Sequence, residues 1–103
     1  MKTLIVLFNL KDEQSVEEYE RWAKEKDTPA IKQLQSVEDK RVYRAMGLMG
    51  ANTASPYQYI EVIDVNDLNQ LSVDTNTDEI QQLIHYFQQI TKDLTFIVTE
   101  QFS

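Results

Sequence analysis

Apolar and polar positions change period along the chain, and each change marks an element. Leu4-Ile5-Val6-Leu7-Phe8 is a β-prone run cut off by Lys11-Asp12-Glu13-Gln14, so Thr3 to Leu10 reads as a strand. Because the run is continuous and not alternating, it implies burial on both faces. Ser15 followed by Glu18 is a capping box, and Val16, Tyr19, Ala23 and Lys26 then recur at helical spacing. Thr28-Pro29 reads as a second helix start, with Thr28 as N-cap, Pro29 in the first turn, and Ala30, Ile31 and Leu34 on one side. The first helix is therefore expected to kink or break near Asp27.

Val37 to Met49 reads as a long, partly charged strand in which Gly47 marks a bulge. Gly50 to Pro56 turns the chain. In the next strand, Tyr57 to Val65, alternation places Tyr57, Tyr59, Glu61 and Ile63 on one face and Gln58, Ile60, Val62 and Asp64 on the other. A short helical or irregular stretch is expected around Asp67 to Leu71. Thr77 then opens a helix striped by Ile80, Leu83, Ile84, Phe87 and Ile90, and Leu94 to Phe102 reads as the last strand.

The order β-α-β-β-α-β is that of an α+β, ferredoxin-like domain, with helices on one face of a four-stranded antiparallel sheet. If Leu4, Val6 and Phe8 face the helices, Ile5 and Leu7 lie on the open face, with Ile63 and Ile97 as expected neighbours. Covering four aliphatic side chains at about 1.5–3 kcal/mol each sums to about 6–12 kcal/mol. That rivals the whole stability of a typical domain, so a homodimer packing sheet on sheet is expected.

Composition narrows the function. The 103 residues suffice for one core, hence one domain over residues 1–103, and only two Gly and two Pro fit an ordered chain. A formal net charge of -7 disfavours nucleic acid and anionic lipid as partners. The absence of Cys excludes a disulfide framework, a thiolate nucleophile and Cys-based metal sites, and fits a cytoplasmic setting. The apolar run near the start is five residues long, far short of a membrane span, so a soluble, unprocessed protein is expected.

Several segments carry a resemblance: Tyr19 and Trp22, the run Lys26-Asp27-Thr28-Pro29-Ala30-Ile31, Ser36-Val37, Val42-Tyr43-Arg44, and Tyr57-Gln58-Tyr59-Ile60-Glu61-Val62. Together they resemble the dimeric α+β barrel superfamily, and within it the RedY-like family found among prodiginine-type biosynthesis genes. The resemblance implies a small-molecule pocket between sheet and helices, for an aromatic or pyrrolic intermediate. It implies a cofactorless cyclase or condensation aid; a non-catalytic dimeric binding module and a cofactor-independent monooxygenase are the alternatives. Related barrels often carry a His where this chain has Asp27, and the cyclases similar to olivetolic acid cyclase carry one where it has Leu4. Both departures speak against imidazole chemistry.

Asp27 and Arg44 are the candidate catalytic residues, and Tyr19, Trp22, Tyr43, Gln58 and Phe87 the candidate ligand-binding residues; no metal and no cofactor are expected. Each has a plainer reading. Trp22 flanks the buried side of the first helix, where it could stack on a ligand or fill the core. Asp27 could cap the helix start at Thr28-Pro29, the favoured reading, or point into the pocket as a general base. Arg41 and Arg44 could fork onto a carbonyl or an anion, or pair with the abundant carboxylates, and either Tyr43 or Arg44 faces the helices. Tyr59 and Glu61 are expected on the dimer face in structural roles. His85, the only His, lies about 165° from the centre of its helix's apolar stripe and should face solvent.

Overall fold

The apolar run of the first strand is explained by its place in the sheet. The computed structural model describes residues 1–103, in which β1 (Lys2–Leu10) is followed by α1 (Val16–Trp22), a π-helical turn (Ala23–Asp27) and α2 (Thr28–Lys32). Then come β2 (Val37–Arg44), β3 (Tyr59–Val65), α3 (Leu68–Asp74), α4 (Asp78–Ile90) and β4 (Thr91–Glu100). The strands lie in the order β2-β3-β1-β4 with every neighbouring pair antiparallel, so β1 is an inner strand, paired on both edges. This is the expected α+β, ferredoxin-like sheet.

The Ser15 hydroxyl accepts from the Glu18 N–H, as the capping box predicts. Of the kink or break expected near Asp27, the break does not occur, and the irregularity there is the π-helical turn. Asp27 and Thr28 both keep helical dihedrals, no side chain caps the second segment, and the Thr28 N–H donates to the Ala23 carbonyl five residues back. Pro29 has no N–H to give the ladder, and one wide turn before it carries the helix past. Thr28 is thus inside the helix, and the Asp27 carboxylate, which capping would have occupied, is used elsewhere.

Other boundaries shift. β2 ends at Arg44, and Gly47, at φ +136°, lies in the connection to β3 and marks no bulge in a strand. β3 begins at Tyr59, two residues later than expected. Asp67 caps α3 by accepting from the N–H groups of Asn69 and Gln70, and Thr77 caps α4 by accepting from Ile80. β4 follows α4 directly at Thr91.

Register corrects which face of β3 is covered. Phe8 pairs with Tyr59, Val6 with Glu61 and Leu4 with Ile63, and directly opposed residues point to the same side. Val6, Phe8 and Leu10 are buried with Tyr19, Ala23, Phe87 and Ile90 of the helices. Tyr59, Glu61 and Ile63 therefore face the helices, and their expected placement on the open face is wrong. Alternation groups residues correctly but cannot say which group is inside; the β1–β3 register does that.

The open face carries Ile5, Leu7, Ile60, Val62 and Ile97, since Ile5 pairs with both Val62 and Ile97 and Leu7 with Ile60. Four of the five are half-buried by their neighbours and Ile97 is exposed. Covering what remains would contribute about half the usual burial energy, on the order of 4–7 kcal/mol.

Candidate ligand site between helix and sheet

Because β2 alternates, Lys40, Val42 and Arg44 share the helix-covered face, opposite Ile63, Glu61 and Tyr59. Arg44 thus faces the helices and Tyr43 the open side, where it is half exposed. A cleft of about 550 Å³ opens between this edge strand and the first helix, with Tyr19, Glu20, Ala23, Thr28, Lys40 and Arg44 among its walls. At its mouth Arg44 donates through Nε to Glu20 Oε2 at 2.7 Å and through its second nitrogen to Oε1. The Tyr59 hydroxyl donates to the same Oε2 at 2.7 Å. These two donors hold the Glu20 carboxyl down at about 2. Burial, with the hydrogen bond to Glu20, pushes the Tyr59 phenol up to about 12.

Deeper in, Lys40 Nζ donates to Asp27 Oδ2 at 2.5 Å and stands 3.7 Å from Glu61 Oε2. The second distance is too long for a hydrogen bond. All three side chains are at least nine-tenths buried. Two polar atoms nearby, Glu61 Oε2 and Tyr19 Oη, have no hydrogen-bond partner. Burial pushes the Glu61 carboxyl up to about 7, with Lys40 opposing and Asp27 adding to the rise. Burial also drives the Tyr19 phenol far above its usual range, reinforced by the charges of Glu61 and Asp27. An apolar trio of similar volume would serve stability as well or better, so packing alone does not account for this cluster. It borders an inner cavity of about 170 Å³, walled otherwise by aliphatic side chains, Phe87, Phe96 and the polar Thr75 and Gln88.

Of the candidate residues, Tyr19 and Arg44 line the outer cleft, Tyr43 borders it only at the edge strand, and Asp27 and Phe87 line the inner cavity. Lys40 lines both and links them. Two candidates stand elsewhere. Trp22 packs against Tyr86, ring centroids 4.9 Å apart, in a groove between the first helix and α4. It is turned there because Tyr19 and Ala23 occupy the inward side of the helix. Gln58 lies just before β3 and accepts from the Leu10 N–H at 2.6 Å, tying the end of β1. His85 is exposed, within reach of Gln89. Glu20, Lys40 and Glu61 were missed as site residues. The signal for the last two was a charge at the middle of each of two strands, readable only once β2 and β3 are placed in register.

A family model described as "REDY-like protein HapK" matches residues 2–102. No curated relative matches the chain. The crystal structure of HapK from Hahella chejuensis is similar at TM-score 0.80 and 28% identity, covering 100% of this chain and 94% of that one. A dimeric ferredoxin-like protein of unknown function from Thermobifida fusca is similar at TM-score 0.72 and 14% identity, over 97% and 90% of the two chains. A putative antibiotic biosynthesis monooxygenase from Deinococcus radiodurans is similar at TM-score 0.72 and 12% identity, over 100% and 94%. These last two likenesses extend to the fold alone.

Proposed function

Because the chain belongs to the REDY-like HapK family, we propose that it is a small-molecule biosynthetic protein that assists cyclisation or condensation of an aromatic substrate between sheet and helices, without a cofactor. The observation that carries this reading is the buried Asp27–Lys40–Glu61 cluster, set where the outer cleft and the inner cavity meet. Of the three donors on an ammonium group, Asp27 takes one. The others are available to an oxygen on which charge develops, while Asp27 accepts a proton from the attacking atom. Most of the acceleration would come from holding two reactive ends together in a productive orientation. Arg44, fixed by Glu20, would orient a carbonyl or carboxylate at the mouth.

The working unit in this proposal is a homodimer in which two open sheet faces cover each other, supported by the aliphatic stripe of Ile5, Leu7, Ile60, Val62 and Ile97. No helix of the chain is long and apolar enough to cross a membrane. A second reading, a dimeric binding module with no reaction, is favoured by one observation. Glu20, Arg44 and Tyr59 satisfy one another and leave a recognition surface with no free base at the mouth.

Calorimetric titration with a panel of aromatic carbonyl compounds and carboxylates tests the shared part. Saturable binding that weakens about tenfold or more in Arg44→Leu is expected, as for loss of a charged hydrogen bond. A panel with no binder would remove both readings. Product formation from a bound compound, lost in Asp27→Asn, separates enzyme from binder.

A further inference from the structure

We propose that the inner cavity is a subsite for one small flat ring carrying a single N–H or O–H donor, and that Glu61 is the residue that accepts that hydrogen. The inference rests on the reading above, that a small molecule is held between sheet and helices, and it adds where one ring sits and what chemistry selects it. At about 170 Å³ the cavity is comparable with an engineered apolar cavity of about 150 Å³ that takes up benzene. Leu4, Ile31, Ile63, Ile84 and Phe87 give it an apolar wall suited to a ring and poorly suited to a chain of polar groups.

Five polar residues, Asp27, Lys40, Glu61, Thr75 and Gln88, interrupt that wall, and Glu61 is the one with an unpartnered acceptor. Its carboxyl lines the cavity, is more than nine-tenths buried, and has one oxygen with no hydrogen-bond partner. Buried acceptors are almost always partnered, and one that is not invites a ligand that supplies the missing donor. The groups facing Glu61 are Lys40 from β2, Asp27 from the π-helical turn and Tyr19 from α1; α4 presents only uncharged side chains, Ile84, Phe87 and Gln88, to this cavity. Lys40 is already engaged by Asp27, so it stands near Glu61 without meeting its oxygen. A cationic ligand would have to approach that ammonium and shed its water against aliphatic walls. A neutral ring with one donor does neither. Because burial raises the Glu61 carboxyl to about 7, the stronger, ionised acceptor forms only as pH rises through neutrality.

Phenol and toluene, which differ by one donor at nearly constant shape, are the probes. Calorimetry on the full chain at pH 8 should show phenol binding about tenfold or more tighter than toluene, the ratio expected for a hydrogen bond to a charged acceptor. The preference should shrink at pH 5.5, and in Glu61→Gln, whose amide oxygen is only a neutral acceptor, it should stay at that reduced level at both pH values. Leu71→Phe, which fills the cavity from α3, should abolish phenol binding. Equal affinity for the two probes, tighter binding of benzylammonium than of phenol, or phenol binding that survives Leu71→Phe would each overturn the subsite. The wild-type ratio and its pH dependence need no variant, so a poorly folding Glu61→Gln would not shield the proposal. Larger aromatics that bind while phenol does not would refute this subsite alone; no binding by any compound would also remove the reading it rests on.

Discussion

Replacing Glu61 by Gln keeps the size of the side chain and removes its titration. In the folded chain burial holds the carboxyl at about 7, against an ordinary value of 4.5. The raised value means that the native state binds a proton more tightly than the unfolded chain does. Stability from this group is therefore fully present below about pH 4.5 and is lost as pH rises through 7. Between pH 5 and pH 8.5 the loss amounts to about 2–3 kcal/mol. Urea unfolding at one fixed protein concentration, at half-unit steps across that range, measures it. The wild-type curve should fall by about 2–3 kcal/mol more than the Glu61→Gln curve. Any pH-independent cost of the buried amide cancels in this comparison, because only the difference in slope is read. Parallel curves would show that Glu61 is already ionised at pH 5 and would refute the account of its burial.

Lys40→Met should cost about 3–5 kcal/mol, read by the same unfolding assay at pH 7, because it leaves two buried carboxyl groups without their cation. Val62→Lys places a charge at the middle of the open sheet face; light scattering should show a folded monomer or loss of the soluble pair, and an unchanged dimer would place the interface elsewhere. Ser15→Ala removes the acceptor for the Glu18 N–H and should lower stability by about 1 kcal/mol.

The fold was legible where local chemistry decides it. The caps at Ser15 and Thr77, the stripe on α4 and the unbroken apolar run of β1 each report an interaction within a few residues or a general demand for burial. The site was less legible because it depends on pairing between distant strands. Lys40 and Glu61 meet only through the β2–β3 register, and the face of β3 that carries Glu61 is decided by its register with β1. Asp27 shows the limit of reading a motif locally. Asp-Thr-Pro is a sound helix-start signal, yet a buried ammonium thirteen residues away outbids the N-cap for the carboxylate, and the π-helical turn lets the helix continue through Pro29. Trp22 flanks the buried side of its helix as expected, packing at the edge of the core against Tyr86, while Tyr19 and Ala23 take the fully inward positions.

The isoleucines offer a direct test of where a ligand goes, because they divide between the two sides of the sheet. Ile31, Ile63 and Ile84 line the inner cavity, while Ile5, Ile60 and Ile97 lie on the open face. Methyl NMR spectra recorded while a binding aromatic compound is titrated should show saturable shifts in the first group and none of comparable size in the second. Shifts confined to the open-face isoleucines would contradict the placement of the site between helix and sheet.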